Sequence, residues 1–197
     1  MFTGMTSPEL ERALAALGEL LAAEGERQAI VVVGGATLNL LGLVPRLTSD
    51  VDVIARAFQA EDGQWQLESP EPFPDALQRA IRTVARDLGL APGWMNHEVG
   101  AQWTQGLPPR LLEDTTWRNY GGGLDVGLVG RRTLIALKLH AAADRHPGSV
   151  HTQDLTAPRP TDGELRDASV WVRAQDVAGE WPQLIDQVIA HVQNNRP

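Results

Sequence analysis

Leucines at 10, 14, 17 and 21 recur at helical spacing behind Ser7-Pro8, which supplies an N-cap candidate and a first-turn proline, so the chain should open with a helix ending near Gly25. That period then stops. Ile30 to Val33 are four consecutive β-branched residues, the pattern of a short buried strand. Gly34 and Gly35 close the run, and Ala36 to Leu43 reads as a helix starting at that turn. Next, RLTSDVDVIA reads as a strand over about 51 to 55 in which aspartates alternate with valines: Asp50 and Asp52 fall on one face and Val51 and Val53 on the other.

Residues 57 to 74, rich in Pro, Glu and Gln, lack a sustained period and read as a loop. Helical spacing returns over 75 to 90, with Leu77, Ile81, Val84 and Leu88 on one side. From Trp94 to Gly123 the pattern supports at most one short strand. GLDVGLV (123 to 129) reads as a further strand with Leu124, Val126 and Leu128 together, and 131 to 145 as a helix. The segment from His146 to Pro160 breaks the pattern before Thr161-x-x-Glu164, a capping box that opens helices near 162 to 175 and 181 to 194. The sum is an α/β fold with a mixed sheet: a core over 1 to 145 and a helical C-terminal extension over 146 to 197 packed on it.

Composition narrows the function. At 197 residues and 43% hydrophobic, the chain can bury an ordinary single-domain core. It has no apolar stretch of membrane-spanning length and no signal-peptide pattern, so a cytoplasmic location without membrane association is expected. A formal net charge of −8 argues against general binding to duplex DNA. With no cysteine, any metal site must be built from oxygen or imidazole. His97, His140, His146, His151 and His191 show no zinc spacing, and GGATLNLLG carries neither a P-loop nor a dinucleotide fingerprint. Lys138 stands out as the sole lysine among 17 basic residues.

The candidate chemistry therefore sits at the glycine turn and Asp-x-Asp. Two carboxylates on one strand face, with Cα atoms about 7 Å apart, can converge on a divalent ion. A glycine turn opening a helix lets backbone approach phosphate closely. Together they point to metal-assisted phosphoryl chemistry. Blander roles exist for each part: Asp-x-Asp as the wet face of an edge strand, Lys138 as a snorkelling helical lysine, Asp154 as a turn or cap residue.

Gly34-Gly35, then RxTxDxD at Arg46 to Asp52, then KLxAAADR at 138 to 145 with HTQDL downstream, resemble the DNA polymerase beta-type nucleotidyltransferase superfamily. The likeness is nearest to its small bacterial branches, which include the AbiEii-like abortive-infection toxins. The resemblance implies a nucleotidyltransferase fold and an enzyme that moves a nucleoside monophosphate from an NTP to an acceptor hydroxyl on RNA or protein. It implies Mg²⁺ or Mn²⁺ at Asp50 and Asp52, phosphate contacts at Gly34, Gly35 and Arg46, and Lys138 as a point charge on the triphosphate. On that reading Lys138→Met leaves stability little changed. Asp154 matches the family's downstream element, Arg145 can join Lys138, and a toxin would have an antitoxin protein as partner. The third carboxylate usual in fully active members is not evident; Asp125 is the first candidate, Glu98 the second. Two alternatives follow: a catalytically weakened module that binds nucleotide or a partner protein, and a small-molecule (antibiotic) nucleotidyltransferase.

Overall fold

A computed structural model describes residues 4–44, 47–100, 106–143, 150–176 and 182–195. The fold is α/β with a mixed sheet and, among the described residues, seven α-helices. The chain divides into two compact units, 1–104 with 115–129, and 105–114 with 130–197. The helix after Gly130 thus belongs with the helical unit rather than with the sheet.

The first unit runs α1 (Ser7–Ala23), β1 (Gln28–Val33), α2 (Gly34–Leu40), β2 (Val51–Gln59), β3 (Trp65–Glu68), α3 (Asp75–Leu88), β4 (Met95–Asn96), β5 (Thr116–Tyr120) and β6 (Leu124–Leu128). The sheet order is β3-β2-β1-β6-β5, with β4 paired to β2; β1 runs parallel to β6 and antiparallel to β2. The capping box that starts α1 is Thr6 with Glu9, one residue before the expected Ser7. One sheet face carries Ile30, Val32, Val51, Val53, Leu124, Val126 and Leu128 into a core with Leu10, Leu14, Leu17 and Leu21 of α1 and Leu77, Ile81 and Val84 of α3. The expected in/out assignments of β2 and β6 hold.

Helix α1 lies so close to the β5–β6 turn that a Cβ on Gly18 would collide with the Tyr120 carbonyl oxygen. Only a hydrogen fits there. Arg118 ties the same corner together, donating to Glu11 on α1 at 3.0 Å and to the Leu40 carbonyl that ends α2 at 3.2 Å. The Tyr120 hydroxyl, beside Glu11, has its pKa pushed up to about 12, chiefly by burial.

The segment read as a loop after 57 contains a β-hairpin. β2 continues to Gln59 and β3 returns as an edge strand, its turn closed by Ala60 N–H to the Gln64 carbonyl and by the Asp62 side chain accepting from Gln64 N–H. Two strands, β4 and β5, stand where at most one was expected. Trp65 and Trp117, from the two edge strands, stack at 4.0 Å on the sheet's second face, which they share with the small residues Ala55, Ala57 and Gly127.

The second unit packs α4 (Arg131–Ala143), α5 (Val150–Thr156), α6 (Asp162–Gln175) and α7 (Pro182–Asn194) around Leu139, Leu155, Leu165, Val172, Ile185 and Val188. α5 is a helix where the sequence pattern breaks; α6 and its Thr161–Glu164 capping box are as expected. Asp114 caps α4 from a distant segment, its Oδ2 accepting from the N–H groups of Arg132 and Thr133. Arg131 donates to both Glu164 oxygens and to the carbonyls of Pro158 and Arg159. The Arg131 guanidinium holds the Glu164 pKa down at about 2.

Candidate nucleotide and metal site

The sequence places Gly34 one residue after the strand and Asp52 two residues into the next. Register brings them together: Val33 at the end of β1 pairs with Asp52 at the start of β2. Gly34 has φ +73, a conformation glycine adopts freely and other residues adopt at a cost. A Cβ built on it would collide with Asp52 Oδ2. The Asp52 carboxylate thus occupies the space that the missing side chain of Gly34 leaves open. Gly35 is the second residue of α2, whose N-cap residue, Val33, supplies no side-chain acceptor.

Asp50 and Asp52 are both half-buried, with fully buried Val51 between them. The backbone that carries them is pinned from both sides. Thr48 exchanges two hydrogen bonds with Met5, at 2.6 and 3.0 Å, and its hydroxyl donates to the Asp50 carbonyl at 3.0 Å. Val51 N–H donates to the Trp94 carbonyl at 2.7 Å, and the Trp94 indole N–H is anchored on the Ile81 carbonyl. A β-bulge at Ile54, where Val31 faces Ala55 and Val32 faces Val53, bends β2 just beyond Asp52. Carboxylates are hard oxygen ligands of the type Mg²⁺ and Mn²⁺ take. No cluster of three or more His, Cys, Asp or Glu side chains that could hold a metal ion occurs among the described residues.

Asp125, the first candidate for a third carboxylate, does not join them. It shares the face of Asp52 but pairs with Ala29, four residues back along β1 from Val33, roughly 13 Å away at about 3.3 Å per residue. There Asp125 accepts from Asn119 at 2.8 Å and pairs with Arg27 at 3.6 Å. Glu98 is exposed on a short 3₁₀ turn after β4. The residue directly beside Asp52 on the open side of β2 is Asn96, which the sequence reading did not single out.

In the second unit, Lys138 and Asp154 meet. Lys138 Nζ donates to Asp154 Oδ2 at 2.6 Å, with side-chain exposures of 11% and 4%. The two were separate candidates in the sequence, and a lysine committed to a buried carboxylate is more than a snorkelling side chain. Arg46 and Arg145 lie outside the described residues. A pocket of about 300 Å³ in the same unit is lined by Arg110 and Arg132 as well as Asp114, Glu164 and Asp167, over a floor that includes Trp171. No helix among the described residues is long and apolar enough to cross a membrane.

No family model matches this chain, and no curated protein matches it. Among solved structures, the chain is similar to an antigenic nucleotidyltransferase-like protein from Paracoccidioides brasiliensis, at 16% identity over 97% of this chain and 95% of that one, with a TM-score of 0.46.

Proposed function

We propose that this chain is a Mg²⁺- or Mn²⁺-dependent nucleotidyltransferase that moves a nucleoside monophosphate from an NTP to an acceptor hydroxyl. The observation that carries the reading is the position of Asp52 Oδ2, which lies where a Cβ on Gly34 would be. It brings a carboxylate and a glycine turn into one corner, and the two residue types together suit an ion and a polyphosphate. A bound divalent ion supplies charge neutralisation for the phosphoryl centre and the departing pyrophosphate. On this reading Asp50 and Asp52 hold it, and the backbone of Gly34 and Gly35 contacts the phosphates. The acceptor hydroxyl releases its proton to solvent as its oxygen bonds the α-phosphorus, and the electron pair of the breaking P–O bond leaves with the pyrophosphate.

RNA and protein hydroxyls are the acceptors proposed, in a toxin-type enzyme with an antitoxin partner. The test is transfer of label from α-³²P NTPs, in Mg²⁺, to cellular RNA and to protein extract. The Asp50→Ala, Asp52→Ala double variant should lose the transfer while keeping its fold by circular dichroism. Labelling that persists in the folded double variant overturns the reading.

A second reading, a nucleotide-binding module with weakened catalysis, is favoured by one observation. Asp125 is engaged elsewhere, and no third acidic side chain joins Asp50 and Asp52 among the described residues. Under that reading wild type binds Mg²⁺·NTP but labels no acceptor.

A further inference from the structure

Helices α4 and α6 of the second unit share a pocket. Arg132, Thr133 and Ala136 line it from the first turns of α4. Glu164, Asp167, Ala168 and Trp171 line it from α6, where steps of three and four residues keep them on one helix face. Pro108, Pro109, Arg110 and Asp114 complete the lining. Its volume of about 300 Å³ stands at the small end of ligand pockets, which run from about 300 to 1,000 Å³. That size suits a single small metabolite.

The charged groups in the lining divide into committed and uncommitted ones. Asp114 accepts from the N–H groups of Arg132 and Thr133, Glu164 is held by Arg131, and Arg110 faces Glu113 at 3.6 Å. Arg132 and Asp167 are different. Both are exposed, and their side chains form no ion pair or hydrogen bond among the described residues, with each other or with a third group. A guanidinium and a carboxylate thus line one small pocket without bridging it. Thr133 adds a neutral polar group on the same wall: the residue is 2% exposed, and its hydroxyl has no hydrogen-bond partner among the described residues. Leaving a buried hydroxyl unbonded is costly, so a ligand atom that bonds it recovers that cost.

These groups narrow the ligand. A polyphosphate would bring its negative charges up to Asp114, Glu164 and Asp167, and a polyamine would bring positive charges up to Arg110 and Arg132. A zwitterion with an apolar body satisfies both uncommitted charges and leaves neither unpaired. An α-amino acid carries its two charges on one carbon, which suits opposite charges in the lining of so small a pocket.

We infer that this pocket binds a free α-amino acid with an aromatic side chain. The ligand carboxylate accepts from the Arg132 guanidinium and the Thr133 hydroxyl, and its ammonium donates to Asp167. Its ring packs on Trp171 and against the small side chains of Ala136 and Ala168. The site is built within the helical unit and is independent of the chemistry at Asp50 and Asp52.

The experiment is calorimetry of L-phenylalanine against the full chain, beside 2-phenylethylamine, which lacks the carboxylate, and 3-phenylpropanoate, which lacks the ammonium. L-phenylalanine is expected to fill one saturable site, with either analogue binding at least tenfold more weakly. Arg132→Gln and Asp167→Asn should each weaken L-phenylalanine at least fivefold while the melting temperature stays the same, because neither side chain is bonded within the fold. Absence of saturable L-phenylalanine binding to wild type overturns the inference. So does an analogue that binds as tightly as L-phenylalanine, or full affinity in either folded variant.

Discussion

Replacing Gly34 with alanine puts a methyl group where the Asp52 carboxylate lies, and the cost has two separable parts. The backbone part comes from φ +73, which costs a non-glycine residue about 1–2 kcal/mol. The steric part comes from the collision with Asp52 Oδ2, and forcing an extra methyl into an occupied position costs about 1–3 kcal/mol. In an Asp52→Ala background the carboxylate is gone. The nearest remaining atom of that side chain is its Cβ at 3.7 Å, an ordinary contact. Gly34→Ala should therefore cost about 2–5 kcal/mol in the wild type but only the backbone part in the Asp52→Ala background, a coupling of about 1–3 kcal/mol. Urea denaturation of the four proteins measures it, since the cycle cancels whatever else Asp52→Ala removes. Additivity within about 0.5 kcal/mol would refute the claim that Asp52 fills the Gly34 corner.

Lys138→Met should destabilise by about 3–5 kcal/mol, where the sequence reading expects little change, because it removes the cation paired with the buried Asp154 carboxylate. Lys138→Met combined with Asp154→Asn should recover much of that loss in denaturation melts; no recovery would mean the pair is not the source. Glu164 has its pKa depressed from 4.5 to about 2, so its contribution is complete above pH 4.5 and disappears as pH falls toward 2. Because the Arg131 side chain is 41% exposed, screening reduces the full shift to about 1–2 kcal/mol. The stability gap between wild type and Glu164→Gln should accordingly shrink between pH 4.5 and pH 2, and a gap that stays constant over that window would remove the ion pair from the account.

What the sequence shows and what it hides divide along physical lines. Faces are legible where periodicity is strict: Val51 and Val53 inward, Asp52 outward, Leu124, Val126 and Leu128 in the core. The Thr161–Glu164 box is legible because a cap is local chemistry within four residues. The hairpin through Trp65 is hidden by its polar edge strand, although Asp62-Gly63 between β2 and β3 is the hairpin signal that could have found it. β5 is masked in the same way by TWRNY, and β4 is too short for any period. In the site, the parity of Asp125 is correct and its position along the sheet is not, because strand register is set by tertiary pairing. Asn96 owes its place beside Asp52 to that same pairing. The Lys138–Asp154 pair joins two helices and has no local signature either.

Calorimetry of a non-hydrolysable NTP analogue against wild type and Asp52→Asn, with Mg²⁺ and with chelator, tests the central claim most directly. Asparagine keeps the shape of the side chain in the Gly34 corner and removes its charge, so folding should persist. The account predicts binding that requires Mg²⁺ and weakens at least tenfold in the variant, about 1.4 kcal/mol. Binding of equal strength in chelator, or in folded Asp52→Asn, would contradict it.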